Sequence, residues 1–450
     1  MKRLYISIKS NIMEKRKRSI FKKDAYSTSV LQVATVFLFV LEICDALISI
    51  YFYLIPKLLS YCLMIAFCIV GTIYVISQKG KKRLFVNLLP AVIYAIYCFV
   101  KVLLGGNFTD DFWNPFQLIV RAVSLILCVI MVQVAIYLPT NWKKVVLKLF
   151  LVLGTVTVIP SLIYVQSFSD AVRDGYGGFG NINFGYIYAT IPLLLMSLFV
   201  LKTKSSKNRA WILIYFVFNF TIITLSNFAT AFVSMIIGLV FILLYDYKVK
   251  LKRLILILLL CAVAVFILRE QIANLCYIIA DTDFFSPIMH KRIVAIGDFL
   301  VGHGGGSSFE NRFVLMNISW KSFLKYPIFG IPASEFGEGT VGLHETWMTQ
   351  LGTTGLVGTG LLLITFTLLI KNVFAVMKTP QCKAAYKFIL FFCVILGFLN
   401  PLAMRDVFIA LFVIIPLYDT FITTKNLHDR KEIKHDKFNC GGIQCQTVSR

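Results

Sequence analysis

Hydrophobic residues in this chain gather into long runs separated by short polar connections. A membrane-spanning helix needs roughly 20 mostly apolar residues, and counting runs of that kind predicts about twelve spans. They cover approximately Val30–Tyr53, Leu58–Ser77, Leu84–Leu104, Phe116–Leu138, Val145–Gln166, Asn183–Leu201, Ala210–Leu225, Phe228–Tyr245, Leu254–Leu268, Glu345–Ile370, Ala384–Leu399 and Val407–Ile422. The pattern predicts an all-α, polytopic integral membrane protein. Residues 1–29 form a basic tail, 30–269 carry the first nine spans, 270–343 a long connection, 344–422 the last three spans, and 423–450 a second tail.

Lys and Arg fall on alternate connections, which fixes an expected orientation. One side receives Met1–Lys23, Gln78–Arg83, Asn141–Lys148, Lys202–Arg209, Asp246–Arg253, Lys371–Lys383 and the tail after Lys425. That side is expected to be cytoplasmic, with both termini on it and the long connection facing outward. Within this connection Ser307-x-x-Glu310 fits a capping box. The following stretch places Phe313, Ile318, Trp320 and Phe323 so that a short amphipathic helix can rest on the membrane surface. Pro327 ends it, because Tyr326 is disfavoured in helical geometry ahead of a proline.

Composition agrees with the pattern. The chain is 58% hydrophobic and 15% charged with mean hydropathy +0.80, outside the usual balance of a water-soluble globule. A formal charge of +23 raises the question of nucleic acid, but the cations sit in separate clusters between apolar runs rather than on one solvent face. No nucleic-acid partner is expected. Seven of the eleven cysteines lie in apolar runs, and Cys440 and Cys445 have no second ligand pair, so neither disulfides nor a structural metal is expected. The first apolar run is of spanning length without a small-residue cleavage site and reads as an anchor.

Candidate chemistry concentrates at the expected outer ends of the spans. Arg121 lies about five residues inside its span, roughly 7 Å below the boundary at 1.5 Å per residue. A cation there lines a polar cavity or reaches towards Asp110 or Asp111. Arg173 stands in a Gly/Asn-rich connection with Asn181 and Asn183, where it either holds two phosphate oxygens or pairs with Asp170 or Asp174. Arg312 sits early in the amphipathic helix, where a cation gains nothing from the helix dipole. A bound anion, or one of Glu310, Glu335 and Glu338, is then its partner. His344 stands at the mouth of a span containing Gly352, Gly355, Gly358 and Gly360, either as a structural hydrogen-bonding residue or as a base titrating near neutral pH. The glycine spacing lets a neighbouring backbone approach closely. Glu42 and Asp45 share a helix face and either pair with a basic neighbour or line a proton path.

Three of these pieces together resemble the O-antigen polymerase and ligase superfamily of bacterial membrane glycosyltransferases, the Wzy/WaaL-like proteins. They are Arg173 with the stretch ending in Asn181 and Asn183, Arg312 followed by Trp320, Pro327 and Gly330, and His344 leading into Leu356-Val357-Gly358. The likeness covers roughly Ser167 to Ile370. Where relatives often carry Ser-Arg-Gly, an Asn or Ser after the histidine, and a second glycine after Pro-x-x-Gly, this chain has Ser226-Asn227-Phe228, Glu345 and Pro332.

The resemblance implies transfer of a glycan from a polyprenyl diphosphate at the outer face of the bacterial cytoplasmic membrane. It expects Arg121, Arg173 and Arg312 to meet the departing diphosphate. His344, with Glu345 second, is expected to take the proton of the acceptor hydroxyl, while Asn181, Asn183 and Trp320 support the site. No Asp-rich metal motif stands on the expected outer side, so transfer without a metal or other cofactor is expected. The implied partners are the polyprenyl-diphosphate-linked glycan, membrane lipids and a chain-length regulator protein. Polymerase and ligase differ only in acceptor. A lipid-linked glycan flippase or exporter is the alternative from another class, and it would show charged residues at mid-bilayer in several spans and paired repeat halves.

Overall fold

The structure, a computed structural model, describes residues 30–47, 57–105, 116–163, 184–203, 208–226, 228–244, 263, 266–282, 287–302, 308–336, 339–342, 345–402 and 404–422. These fold as helices and turns. The first eight helices are α1 (Val30–Leu47), α2 (Lys57–Ser77), α3 (Lys81–Gly105), α4 (Phe116–Tyr137), α5 (Thr140–Ile163), α6 (Phe184–Lys202), α7 (Arg209–Leu225) and α8 (Ala229–Leu244). Then come α9 (Arg269–Ala280), α10 (Pro287–Val301), α11 (Ser308–Lys325), α12 (Trp347–Val376) and α13 (Pro380–Leu399). A last helical run begins at Arg405–Ile409, widens into a π-helical turn at Ala410–Ile414, passes Ile415–Leu417 and ends as a 3-10 turn at Tyr418–Phe421.

Among the described residues eight helices, α1 to α6, α12 and α13, are long and apolar enough to cross a membrane, and α7 and α8 are shorter apolar helices. The protein is a helical membrane protein. The span expected at Leu254–Leu268 lies almost wholly outside the described residues.

In lipid an apolar residue gives no clue to its side, so burial must be read from packing. Only 22% and 28% of the spanning windows of α2 and α3 are buried, against 83% of α6, which puts α2 and α3 on the rim and α6 in the middle. Ile65, Ile69 and Ile73 of α2 and Phe99 and Leu103 of α3 form lipid-facing stripes. The last helical run is buried from Val407 to Tyr418 and packs beside α6. Its π-helical turn precedes Pro416, whose ring would otherwise meet the carbonyl of Phe412 and which offers that carbonyl no N–H.

Polar contacts between α3 and α12 mark the two ends of the bundle. At one end Arg83 Nε and Nη2 donate to Asn372 Oδ1 at 3.0 and 2.8 Å, and Asn372 Nδ2 donates to Asn87 Oδ1 at 2.7 Å. At the other end Lys101 Nζ donates to the carbonyl of Thr353 at 2.5 Å. Arg83 and Lys101 are about 27 Å apart along α3 at 1.5 Å per residue, close to the ~30 Å of a hydrocarbon layer. We call the Lys101 end the site end.

Each end of the bundle has its own polar fastening. At the far end Asp419 accepts the backbone N–H of Lys378 at 2.6 Å and of Thr379 at 3.0 Å, together with the Thr379 hydroxyl. Towards the site end Arg405 Nη2 donates to Asp45 and, at 3.2 Å, to Glu42 Oε2, while Ser60 Oγ donates to Asp45 Oδ2 at 2.7 Å. The pairing expected for Glu42 and Asp45 is thus made by Arg405, and it ties α1, α2 and the last run together.

The connection 270–343 holds more than the one amphipathic helix expected. Helices α9 and α10 pack as a hairpin ahead of α11, with Tyr277 OH donating to Asp298 Oδ1 at 2.8 Å. A Cβ on Gly297 would lie 2.7 Å from Tyr277 Cε1, so the hairpin depends on tertiary fit that apolar periodicity does not display.

Replacing Arg405 with Ala strands two buried carboxylates, and the loss of one partner from such a set costs about 3–5 kcal/mol. Chemical unfolding in detergent should register that loss. The combined variant Glu42→Gln, Asp45→Asn, Arg405→Ala should recover most of it.

Candidate functional site

The site end is organised by a break in α12. The sequence predicts an uninterrupted span over Glu345–Ile370, but Gly355 adopts φ 62°, ψ −164°, a conformation essentially restricted to glycine, and the helix divides there. A broken helix inside a membrane must satisfy its released backbone groups within the protein. Here a strap formed by Pro327–Ile331 performs the exchange. Leu356 N–H donates to Pro327 O at 2.8 Å and Val357 N–H to Ile328 O at 3.1 Å, instead of to the carbonyls one turn back. The Gly352 carbonyl, relieved of Leu356, accepts Ile331 N–H at 2.9 Å. The Thr353 carbonyl is taken by Lys101, and the Thr354 carbonyl by Tyr97 OH at 2.9 Å.

Lys101 Nζ also reaches Phe329 O at 2.5 Å, so one ammonium group ties α3, the strap and the break. Contact is close enough to demand glycine on both sides. A Cβ on Gly330 would lie 2.4 Å from Thr353 O, and one on Gly355 2.4 Å from Ile328 O. Gly352 is pressed on Ser319 O and Gly358 on Tyr97, whereas Gly360 faces open space. The expected close backbone approach is made at Gly352 and Gly355.

Ahead of the break, α12 is short, polar and buried. Glu345, Thr346, Thr349, Gln350, Thr353 and Thr354 are all buried. Gln350 Nε2 donates to Tyr94 OH at 2.9 Å and to Thr354 Oγ1 at 2.8 Å. Thr346 Oγ1 donates to Asn400 O at 2.8 Å and accepts Leu402 N–H, fixing the start of the segment to the end of α13. Glu345 is 3% exposed. Its Oε1 accepts from Thr349 Oγ1 at 2.9 Å, and its Oε2 has no hydrogen-bond partner.

Arg121 of α4 completes this patch. Its guanidinium lies within electrostatic reach of Tyr94 and Cys98, and Tyr94 is the residue bonded to Gln350. Arg121 is itself partly exposed. Among the described residues no carboxylate lies within ion-pair distance of it. No three His, Cys, Asp or Glu side chains among those residues gather closely enough to hold a metal ion.

The structure therefore brings Arg121 and Glu345 to one end of the bundle, linked through Tyr94 and Gln350. Arg173, Asn181, Asn183 and His344 lie outside the described residues. Arg312 belongs to the N-terminal part of α11, and its side chain is likewise outside them. Trp320 stands on the exposed face of α11, with its ring centroid 5.2 Å from that of Phe323. Glu335, considered above as a partner for Arg312, accepts from Tyr326 OH at 2.7 Å and lies 3.4 Å from Lys325 Nζ. The Tyr326 hydrogen bond, aided by the Lys325 charge, holds its carboxyl below the usual range.

Sequence reasoning missed Tyr94, Tyr97, Lys101 and Gln350. A signal existed in Lys101, a single cation within the last turns of an apolar span. Its meaning needed Thr353-Thr354-Gly355 beside it, which hydropathy does not supply.

Replacing Gly355 with Ala forces a side chain into a glycine-only conformation, at roughly 1–3 kcal/mol for the backbone alone, and drives it against Ile328 and Gly330. Thermal unfolding in nanodiscs should show a marked drop. Gly360→Ala, on the same helix with open space around it, should leave stability unchanged or slightly higher.

Comparison with protein-family models, with curated proteins and with solved structures gave no match.

Proposed function

We propose that this protein polymerises polyprenyl-diphosphate-linked oligosaccharide repeat units into a surface polysaccharide at the outer face of a bacterial cytoplasmic membrane. In this reading the chain crosses the membrane twelve times, both termini are cytoplasmic, and the site end faces outward. The placement of basic connections supports that orientation, since Lys79, Lys81, Arg83, Lys143, Lys202, Arg209, Lys371 and Lys378 belong to connections at the far end.

The observation that carries the proposal is Arg121, a partly exposed cation of α4 with no carboxylate within ion-pair distance among the described residues. Breaking the bond between an anomeric carbon and a diphosphate puts negative charge on the leaving group, and a preorganised, poorly solvated guanidinium stabilises that charge. Arg173 and Arg312, on connections assigned to the same side, would share the task. The acceptor hydroxyl must lose a proton as the new bond forms. His344 is the proposed base, with the buried carboxylate of Glu345, its neighbour in sequence, as the second candidate. Tyr94 and Gln350 act as positioning residues that hold the α12 half-helix against Arg121. The departing polyprenyl diphosphate and the lengthened glycan are the products, and the transfer uses no cofactor.

A ligase would use the same donor chemistry with another envelope molecule as acceptor. The Gly355 break favours a second reading from another class, export of the lipid-linked glycan, because discontinuous helices build the substrate sites of many transporters.

Arg121→Ala should lower chain extension by about 10²–10³-fold, the usual loss when one oxyanion-stabilising group is removed. His344→Ala and Glu345→Gln test the proton acceptor, for which the loss is about 10²–10⁴-fold. Each variant should insert in the membrane normally and leave surface glycan as single repeats, resolved by gel electrophoresis of the extracted polysaccharide. Long chains persisting in all three variants would remove the transferase reading. Lipid-linked units trapped on the cytoplasmic side would establish export instead, and glycan absent from its acceptor but built to full length would establish ligation.

A further inference from the structure

The exposed face of α11 is largely apolar, interrupted by Asn317 and Lys321. Phe313, Val314, Trp320 and Leu324 are between 41% and 59% exposed, and they lie on one stripe at helical spacing. The opposite face is fixed to the protein: Ser319 Oγ accepts Gly342 N–H at 2.8 Å, and Ser319 O presses on Gly352 of α12. The stripe continues into the strap, where Ile328 and Phe329 are 56% and 61% exposed.

Two contacts give α11 its direction. At its C-terminal end the strap is held to α3 by Lys101 and Tyr97 through Phe329 O. Those two residues flank Phe99 and stand beside Leu103, both on the lipid-facing stripe of α3. At its N-terminal end Phe313 stacks on Phe299 of α10 with ring centroids 6.4 Å apart. Helices α9 and α10 in turn rest on Phe232, near the start of α8. Helix α11 therefore runs along the rim from α3 towards α8 instead of standing away from the bundle.

We propose that α11 and the strap form a lipid-docking surface, with the apolar stripe set among the acyl chains of the leaflet at the site end. Continuity with the lipid-facing side of α3 identifies the occupant, because Phe329 is bonded at the level where that face ends. The charge pattern fits as well. Lys321 is exposed on the same side and free to snorkel to headgroup phosphates, Lys325 is 66% exposed but lies 3.4 Å from Glu335, and Trp320 is suited to the interface. Anionic phospholipid is the class of ligand this surface selects. The inference does not depend on the activity assigned above.

The test uses the full chain in nanodiscs of phosphatidylglycerol and phosphatidylethanolamine, with a trace of phospholipid bearing a photoreactive diazirine in its acyl chain. After irradiation and proteolysis, peptides containing Phe313, Val314, Trp320 and Leu324 should carry lipid adducts at a yield matching those with Phe99 and Leu103. A water-soluble carbene reagent should label them poorly. Strong labelling by that reagent with few lipid adducts would overturn the proposal, since the face would then meet water. Protection from both reagents would overturn it too, because another protein or a second copy would cover the face. Lys321→Glu should reduce the adduct yield on α11 in anionic nanodiscs and leave that on α3 unchanged. An equal yield in the variant would refute the selection of anionic headgroups.

Discussion

Backbone hydrogen bonding at the Gly355 break governs this molecule. An α-helix divided in a membrane releases amides and carbonyls that lipid cannot satisfy, and each unsatisfied group costs several kcal/mol. In this protein the amides of Leu356 and Val357 and the carbonyls of Gly352, Thr353 and Thr354 all find new partners, in Pro327, Ile328, Ile331, Lys101 and Tyr97. The break is therefore a joint between three pieces of chain. Gly330 and Gly355 are required because backbone meets backbone there, and Lys101 because a carbonyl at that depth needs a strong donor.

The joint decides what surrounds it. Since the strap is spliced into α12, the helix before it is held at the site end, and the connection after it must return along the rim. The half-helix from Trp347 to Thr354 packs against α3 through Gln350 and Tyr94 and against α13 through Trp347, with its polar residues buried. A continuous span with Glu345, Thr349, Gln350 and Thr353 on one side would expose polar groups to lipid or force them against apolar neighbours. The break makes that polar sequence compatible with a membrane. It also places a carboxylate and a guanidinium near one boundary, where an ionic group is far less costly than at mid-bilayer.

How far this was legible in the sequence varies with the physics involved. Spanning helices are long and must be apolar, so α1 to α6, α12 and α13 could be read from hydropathy with boundaries shifted by only a few residues. Helix α11 was legible because an amphipathic face and a proline stop are local features. The hairpin of α9 and α10 was not, since it depends on Tyr277 fitting over Gly297. The break could not be read either. Gly352, Gly355, Gly358 and Gly360 look alike in sequence, and only backbone conformation singles out Gly355. Among the candidate residues, Arg121 was singled out by its position within a span. The residues that bind its surroundings together, Tyr94, Lys101 and Gln350, are ordinary in composition and acquire meaning from contacts across α3 and α12.

The two charged groupings at the site end provide an internal comparison. Arg405 Nη2 is paired with both Glu42 and Asp45, with Ser60 supporting Asp45, and it links three helices, although Arg405 Nε and Glu42 Oε1 keep no hydrogen-bond partner. That is how this fold treats a buried charge whose task is structural. Arg121 and Glu345 are of opposite sign and belong to one polar patch, yet they make no ion pair with each other, and Glu345 keeps an oxygen without a donor. Separated from Glu345, the guanidinium can meet an anion, whereas a mutual pair could not. The contrast with Arg405 lies in Arg121, a partly exposed guanidinium without a carboxylate partner among the described residues, and it is this cation that supports the proposed ligand chemistry.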